Sequence, residues 1–271
     1  MDYKIVFSDV DGTLLNSEHK LLPKTLFAIR SLQEKHIPFV IISARSPSGI
    51  YPILKENNFN CSIISYSGSL ILNEDRNILY SEGFSKKIAL DIVSFIENQQ
   101  LDCTWNIFSV DTWIVKDKND PRVINEENIV KAQAIQGSPE SLPEDAKIGK
   151  ILCMCNPTKI LDIERALKEA FPQLSIAKSS NILLEIMAKG INKSNAVHTL
   201  CKILNIPLEA TVAFGDNFND EEMLETVAMP FLMGNAPEAL KKKFNNITNS
   251  NDEDGIYQAL VKIGMVQNKG N

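Results

Sequence analysis

The sequence predicts an α/β protein, in which a parallel-sheet core is built from two separated stretches of chain with an α+β segment inserted between them. Three observations carry this. Short apolar runs alternate with helical patterns at both ends of the chain, the middle follows a different order, and polar clusters close the apolar runs of the outer stretches. At 271 residues the chain is longer than the roughly 150 residues of a typical domain, which suggests two.

The first stretch opens with Lys4 to Phe7, a buried-strand pattern that ends at Ser8-Asp9-Val10-Asp11-Gly12, where Asp and Gly favour a tight turn. Pro23 sits where a helix begins, and Leu26, Ile29 and Leu32 recur at helical spacing behind it. Ile37 to Ile42 is a second apolar run, ending at Ser43-Ala44-Arg45, and Ser62 to Tyr66 is a third, ending at Ser67-Gly68. Strands alternating with helices imply right-handed crossovers and a parallel sheet. The rhythm returns at the far end. Asn192 to Leu204 carries Val197, Leu200, Cys201 and Leu204 on one helical face, and Ala210 to Phe214 is a strand running into Gly215-Asp216. Phe231 to Met233 ends at Gly234-Asn235, and Ile256, Leu260 and Ile263 mark a last helix.

The middle differs. Ile88, Ile92 and Ile96 form a helix face, Cys103 to Phe108 and Thr112 to Val115 predict a hairpin, and a helix is expected over Glu126 to Ala134. Then come a strand over Ile148 to Cys155, a helix over Leu161 to Phe171, and two short strands, Ser175 to Ala177 and Leu183 to Ile186. That order is expected of an antiparallel sheet with helices on one face. The core domain is placed at 1–82 and 185–271, and the insertion at 83–184.

A net charge of −6, with Lys241 to Lys243 the densest basic run, argues against nucleic acid, whose backbone requires a cationic footprint. No window approaches the ~18 consecutive apolar residues of a membrane helix, and no leader pattern opens the chain, so a soluble, cytoplasmic protein is expected. The five cysteines are odd in number and scattered, as expected of free thiols in a reducing compartment; Cys153 and Cys155 form a CxC rather than a metal-binding CxxC. His19, His36 and His198 lack metal-ligand spacing.

Ligands of open α/β sheets bind at the carboxyl ends of the strands. Asp9 and Asp11, Ser43, Ser67 with Gly68, and Asp216 with Asp220 all stand at such ends, and Lys193 opens a helix. Two carboxylates two apart normally face opposite ways along a strand, but a turn at Gly12 can bring both to one ligand, one to attack and one to move a proton. Asp216 and Asp220 precede a helix over Glu221 to Val227 and suit either a helix start or a hard cation such as Mg²⁺, which takes oxygen ligands. Taken singly, Ser43 suits a turn cap or a phosphate donor, and Lys193 a surface lysine or a fixed cation.

Together, Asp9-Val10-Asp11-Gly12-Thr13-Leu14, Ser43, Lys193 and Gly215-Asp216-Asn217-Phe218-Asn219-Asp220 resemble, in order, the four motifs of the haloacid dehalogenase (HAD) superfamily. Glu222-Met223-Leu224, Met233-Gly234-Asn235-Ala236 and Asp254-Gly255-Ile256 resemble its Cof-type branch, subfamily IIB, which carries a C2-type cap. The resemblance spans essentially the whole chain. It implies an HAD-like Rossmannoid core with an inserted α+β cap that selects the substrate. It also implies an Mg²⁺-dependent phosphatase of small phosphorylated metabolites, sugar phosphates by default. Asp9 would then be the nucleophile that becomes an aspartyl-phosphate, and Asp11 the general acid and base. Mg²⁺ would be held by Asp9, the Asp11 carbonyl and Asp216, with Asp220 in the outer shell. Val10, Ser43, the Ala44 amide, Lys193 and Asn219 would bind phosphate.

The chain departs from the family pattern at Ser43-Ala44-Arg45, where Thr-Gly-Arg is frequent, and at Ser67-Gly68-Ser69, where Asn-Gly-Ala is frequent. The second departure sets a serine hydroxyl at position 67 where an asparagine amide is frequent. A phosphomutase of the phosphomannomutase type and a noncatalytic sugar-phosphate sensor are the alternatives; a sensor has no need of both Asp9 and Asp11. Trp105, Asn106 and Trp113 are open to either packing or substrate contact, and the expected assembly is a monomer or weak homodimer.

Overall fold

The computed structural model describes residues 2–268. In chain order the elements are β1 (Ile5–Ser8), α1 (Pro23–Glu34), β2 (Phe39–Ile42), α2 (Pro47–Asn57), β3 (Ser62–Ser65), β4 (Leu70–Leu72), β5 (Ile78–Ser81) and β6 (Phe84–Ser85). They continue through α3 (Lys86–Asn98), β7 (Cys103–Ser109), β8 (Thr112–Val115), α4 (Pro121–Val130), β9 (Ile135–Gln136), β10 (Lys147–Ile148), β11 (Lys150–Cys155) and α5 (Ile160–Ala170). Last come β12 (Leu174–Lys178), β13 (Leu183–Ala188), α6 (Lys193–Leu204), β14 (Thr211–Gly215), α7 (Glu221–Thr226), β15 (Met229–Leu232), α8 (Glu238–Lys241) and α9 (Gly255–Lys262).

Two compact units result. Among the described residues, one holds 2–44, Ile53–Leu79 and 192–268; the other holds Arg45–Pro52 and Tyr80–Ile191. The expected boundary at 184/185 falls inside β13, which pairs with β11 and β12 and runs on to Ala188. Arg45–Pro52, by sequence a part of the core, groups with the second unit.

The first unit is built on a seven-stranded sheet of order β15-β14-β1-β2-β3-β4-β5. The five strands from β15 to β3 are mutually parallel, and β4 turns back antiparallel on β3. Ile5, Val6, Phe7, Val40 to Ile42 and Val212 to Phe214 are fully buried, as required of central parallel strands covered on both faces. Strand β2 starts at Phe39 rather than Ile37, and the Pro38 carbonyl accepts from the Val6 N–H at 2.9 Å. The pair β4 and β5 escaped sequence reading because each is too short to show a period.

The second unit carries a six-stranded sheet of order β12-β13-β11-β7-β8-β9, antiparallel except for the β8–β9 pair. One face, with Trp105, Ile107, Ile114, Ile151, Cys153, Leu184 and Ile186, packs with Ala89, Ile92 and Ile96 of α3 and Ile160, Ile163 and Leu167 of α5. The helix expected over 126–134 lies earlier, at Pro121–Val130. Asp120 caps it through the Arg122 N–H, Pro121 fits its first turn, and Lys131 ends it at φ 54°. Trp105 belongs to the helix-covered core, and Trp113 stacks on Phe108 and donates to the fully buried Asn106 at 3.0 Å, so packing accounts for all three. Among the described residues, no helix is long and apolar enough to cross a membrane.

Candidate active site

Strand β1 lies where the sheet changes direction: successive crossovers lead from it to β2 and β3 on one side, while β14 and β15 occupy the other. Crevices form at such a switch point, beyond the carboxyl ends of the strands. Ser8 is level with Phe214, and the Asp9 N–H donates to the Phe214 carbonyl at 3.1 Å. That register carries the chain after β1 (Asp9) and the chain after β14 (Asp216) out of the sheet side by side.

Gly12 is what allows their approach. Its φ is +82°, and a Cβ there would lie 2.8 Å from Asp216 Cγ and overlap a carboxylate oxygen. Thr13 Oγ1 donates to Asp216 Oδ1 at 2.9 Å, and Asn235 Nδ2 donates to the Gly12 carbonyl at 2.8 Å. Asp220 Oδ2 accepts the main-chain N–H groups of Asp216 (3.0 Å) and Asn217 (3.1 Å), which folds the turn after β14 around one carboxylate.

Lys193 comes from the start of α6. Asn192 caps α6 by accepting the Asn195 N–H, and Lys193 is the first residue of that helix. The helix start is seated against Gly68, where a Cβ would stand 2.7 Å from the Asn192 carbonyl. The Lys193 side chain is 1% exposed, and its Nζ donates both to Asp9 Oδ1 and to Asp220 Oδ1.

The electrostatics follow from burial. Desolvation raises the Asp9 carboxyl to about 8 against the pull of Lys193, with Asp220 and Asp216 adding to the rise. Desolvation also raises Asp216, to about 6, against the Thr13 hydrogen bond, with Asp220 and Asp11 adding to it. Burial disfavours the Lys193 ammonium, but Asp9 and Asp220 outweigh it and hold the lysine above its ordinary value. Asp9 and Asp220 thus share one ammonium, with Asp216 beside them.

Asp9, Asp216 and Asp220 each offer an oxygen, and these three atoms lie within 4.8 Å of one another. An all-oxygen donor set carrying excess negative charge fits a hard divalent cation. The Asp11 carboxylate is outside this trio, on an exposed residue beside the bridge from Asp11 to Leu15. Ser43 is buried at the end of β2; its N–H donates to the Ile64 carbonyl, and its carbonyl accepts from the Ser67 N–H. Ala44 follows, half-buried, and Asn219 is exposed on the turn before α7. Val10 is fully buried, and its carbonyl receives the Thr13 and Leu15 N–H groups. Sequence reading gave no role to Thr13 or Asn235, although both lie in the quoted motifs; only the closed turn shows what they hold.

The chain belongs to the haloacid dehalogenase-like hydrolase family, which it matches over residues 6–260. It is an enzyme, a hydrolase, and relatives that it resembles over nearly their whole length bear phosphatase names. One, from Haemophilus influenzae, is 38% identical over 260 residues, 96% of this chain and 98% of its own. Phosphatase YwpJ of Bacillus subtilis is 27% identical, with 95% and 98% covered. Among solved structures, a haloacid dehalogenase-like hydrolase from Bacteroides thetaiotaomicron superposes with a TM-score of 0.87 at 26% identity, covering 97% of this chain and 100% of that one. The HAD subclass IIB sugar phosphatase BT4131 shares the fold with a TM-score of 0.79 at 21% identity, covering 97% and 100%.

Proposed function

We propose that this protein is a cytoplasmic, Mg²⁺-dependent phosphatase of small phosphorylated metabolites, sugar phosphates foremost, working through an aspartyl-phosphate on Asp9. The observation that carries this reading is the sharing of the buried Lys193 ammonium between Asp9 and Asp220, with Asp216 beside them. An anionic nucleophile approaches an anionic phosphate only where cations offset their repulsion, and this site combines a fixed ammonium with a donor set for a second cation. Mg²⁺, when bound, supplies charge neutralisation at the transferring phosphoryl group.

Asp9, the Asp11 carbonyl and Asp216 would hold that ion. Asp220 suits an outer place, because its two oxygens already serve Lys193 and the Asp216 and Asn217 amides. An Asp9 oxygen attacks phosphorus, the bond to the leaving alcohol breaks, and Asp11 supplies that alcohol's proton. Asp11 then takes a proton from water as the water oxygen attacks the aspartyl-phosphate, which frees inorganic phosphate and restores Asp9. Asp11 is suited to this because its carboxylate is not one of the three clustered oxygens and the residue is exposed. Val10, Ser43, the Ala44 amide, Lys193 and Asn219 bind the phosphate oxygens. The inserted unit selects the leaving group.

The test is turnover of a panel of phosphorylated sugars, nucleotides and small acids by the full chain, with and without Mg²⁺. Mg²⁺-dependent release of phosphate from hexose or pentose phosphates is expected. Transfer of phosphate within the sugar instead of release, or no turnover of any phosphomonoester, overturns the reading.

A further inference from the structure

The second unit contains a group of thiols that the phosphatase chemistry does not use. In sequence, Cys103 lies far from Cys153 and Cys155, but β7 and β11 run antiparallel with Cys103 directly opposite Cys155 and Trp105 opposite Cys153. All three cysteines join the hydrophobic cluster beneath α3 and α5, so their side chains share one face of the sheet. The Asn156 N–H donates to the Asp102 carbonyl at 3.0 Å, just outside the Cys103–Cys155 pair, while the Cys155 N–H is turned to Ile182 on the other side. This is the pattern that flanks a non-hydrogen-bonded pair, whose Cα atoms approach to about 4.5 Å. That spacing lies within the Cα range of about 4.4–6.8 Å that a disulfide spans.

The two members of the pair differ in access. Cys103 is half-buried, whereas Cys153 and Cys155 are buried, and the Cys155 thiol lies 3.6 Å from the Cys153 carbonyl. Hydrogen bonds from the Cys153 and Cys155 thiols, and then the Arg122 guanidinium, hold Cys103 below the ordinary thiol range. Arg122 is fixed there by Asp120 and by its bond to the Met154 carbonyl. Burial pushes the unrelated thiols the other way, Cys61 to about 12 and Cys201 to about 11. The register therefore sets one half-buried sulfur opposite a second, buried sulfur that can resolve it, and the groups around Cys103 favour its thiolate, the arrangement of redox-responsive cysteines.

We propose that Cys103 and Cys155 are a reversible dithiol–disulfide site, oxidised by peroxide. The Cys103 thiolate attacks one peroxide oxygen, the O–O bond breaks, and Cys103 sulfenic acid forms as hydroxide departs. The Cys155 sulfur then attacks the Cys103 sulfur, the S–O bond breaks, and water leaves with the thiol proton. Two thiols give up two electrons, and one hydrogen peroxide becomes two waters. A dithiol reductant reverses the bond. The inference stands apart from the phosphatase reading, because it concerns strands of the second unit alone.

The experiment uses the reduced full chain, treated with hydrogen peroxide, alkylated, digested without reduction and read by mass spectrometry. Two of the five thiols are expected to disappear, and a peptide containing Cys103 to be linked to the one containing Cys153 and Cys155. Cys153→Ser should keep that link. Cys155→Ser should abolish it and leave a dimedone-reactive Cys103, and Cys103→Ser should leave the thiol count unchanged. In the untreated protein, Cys103 should alkylate at least roughly tenfold faster than Cys61 or Cys201, a readout that needs no variant to fold. Loss of the link in Cys153→Ser, oxidation of Cys61 or Cys201 ahead of Cys103, or over-oxidation of Cys103 with no cross-link in the unaltered protein overturns the proposal.

Discussion

Lys193 and Asp220 meet through a 2.5 Å ammonium–carboxylate bond in which both side chains are 1% exposed, and the same ammonium also serves Asp9. A charge pair this deeply buried is not a cheap source of stability, yet removing one member leaves the other desolvated without compensation. Lys193→Met should therefore lose about 3–5 kcal/mol in denaturant unfolding of the metal-free protein, together with its turnover. Part of that stability should return on adding Mg²⁺, since a cation among the three carboxylates takes over some of the neutralisation. A Lys193→Met protein as stable as the unaltered one would show that Asp9 and Asp220 do not rely on this ammonium.

Asp9→Asn should also lose turnover but keep its stability. The amide is nearly isosteric and removes a carboxylate whose ionised form is disfavoured by burial, so the metal-free fold should be as stable as before or more so. Turnover should fall roughly a thousandfold or more, because an amide oxygen cannot serve as the attacking oxyanion. The check is hydrolysis of p-nitrophenyl phosphate beside a thermal unfolding curve; unchanged hydrolysis would remove Asp9 from the nucleophile's place.

Much of this site is legible in the sequence. Asp9, Asp216 and Asp220 stand at the ends of apolar runs and Lys193 at the start of an amphipathic helix, but each taken singly also suits a turn, a helix start or a surface position, and only their joint order, which resembles the four motifs, sets them together. What stayed hidden depends on tertiary register. The hydrogen bond of Thr13 to Asp216 and that of Asn235 to Gly12 join residues about 200 positions apart, and local patterning holds no trace of such a closure. The same limit hid Cys103 from Cys155. The misplaced helix has another cause: the apolar residues of 121–134 admit two phasings, and the cap at Asp120 with Pro121, not periodicity, selects the earlier one.

Gly12→Ala tests the closeness of the two strand ends directly. A left-handed backbone costs a non-glycine residue about 1–2 kcal/mol, and the new methyl group would also press on the Asp216 carboxylate. Stability should drop by about that amount. Mg²⁺-induced protection against unfolding should weaken as well, since Asp216 would be displaced. Full Mg²⁺ protection in Gly12→Ala would mean that Asp216 does not need its present position to hold the ion.

The acid–base balance of the trio predicts how metal and pH are linked. In the metal-free folded protein Asp9 and Asp216 retain protons up to about 8 and about 6, whereas their ordinary carboxyl value is 3.8. Between pH 4 and pH 8 the folded state thus binds more protons than the unfolded chain, and metal-free stability should fall as pH rises. A divalent cation must displace those protons, so the rise in Tm on adding Mg²⁺ should be small at pH 5, grow through pH 6 to 8 and level off above. Over the same range EDTA should abolish turnover and Mg²⁺ restore it. Ca²⁺ should protect the fold but support turnover poorly, because its looser, higher coordination can engage both Asp9 oxygens and leave none to attack phosphorus. Thermal unfolding at fixed ionic strength, paired with a metal-replacement assay, reads both effects. An Mg²⁺-induced shift of equal size at pH 5 and pH 8, or full activity after metal stripping, would mean that the ion does not sit among Asp9, Asp216 and Asp220.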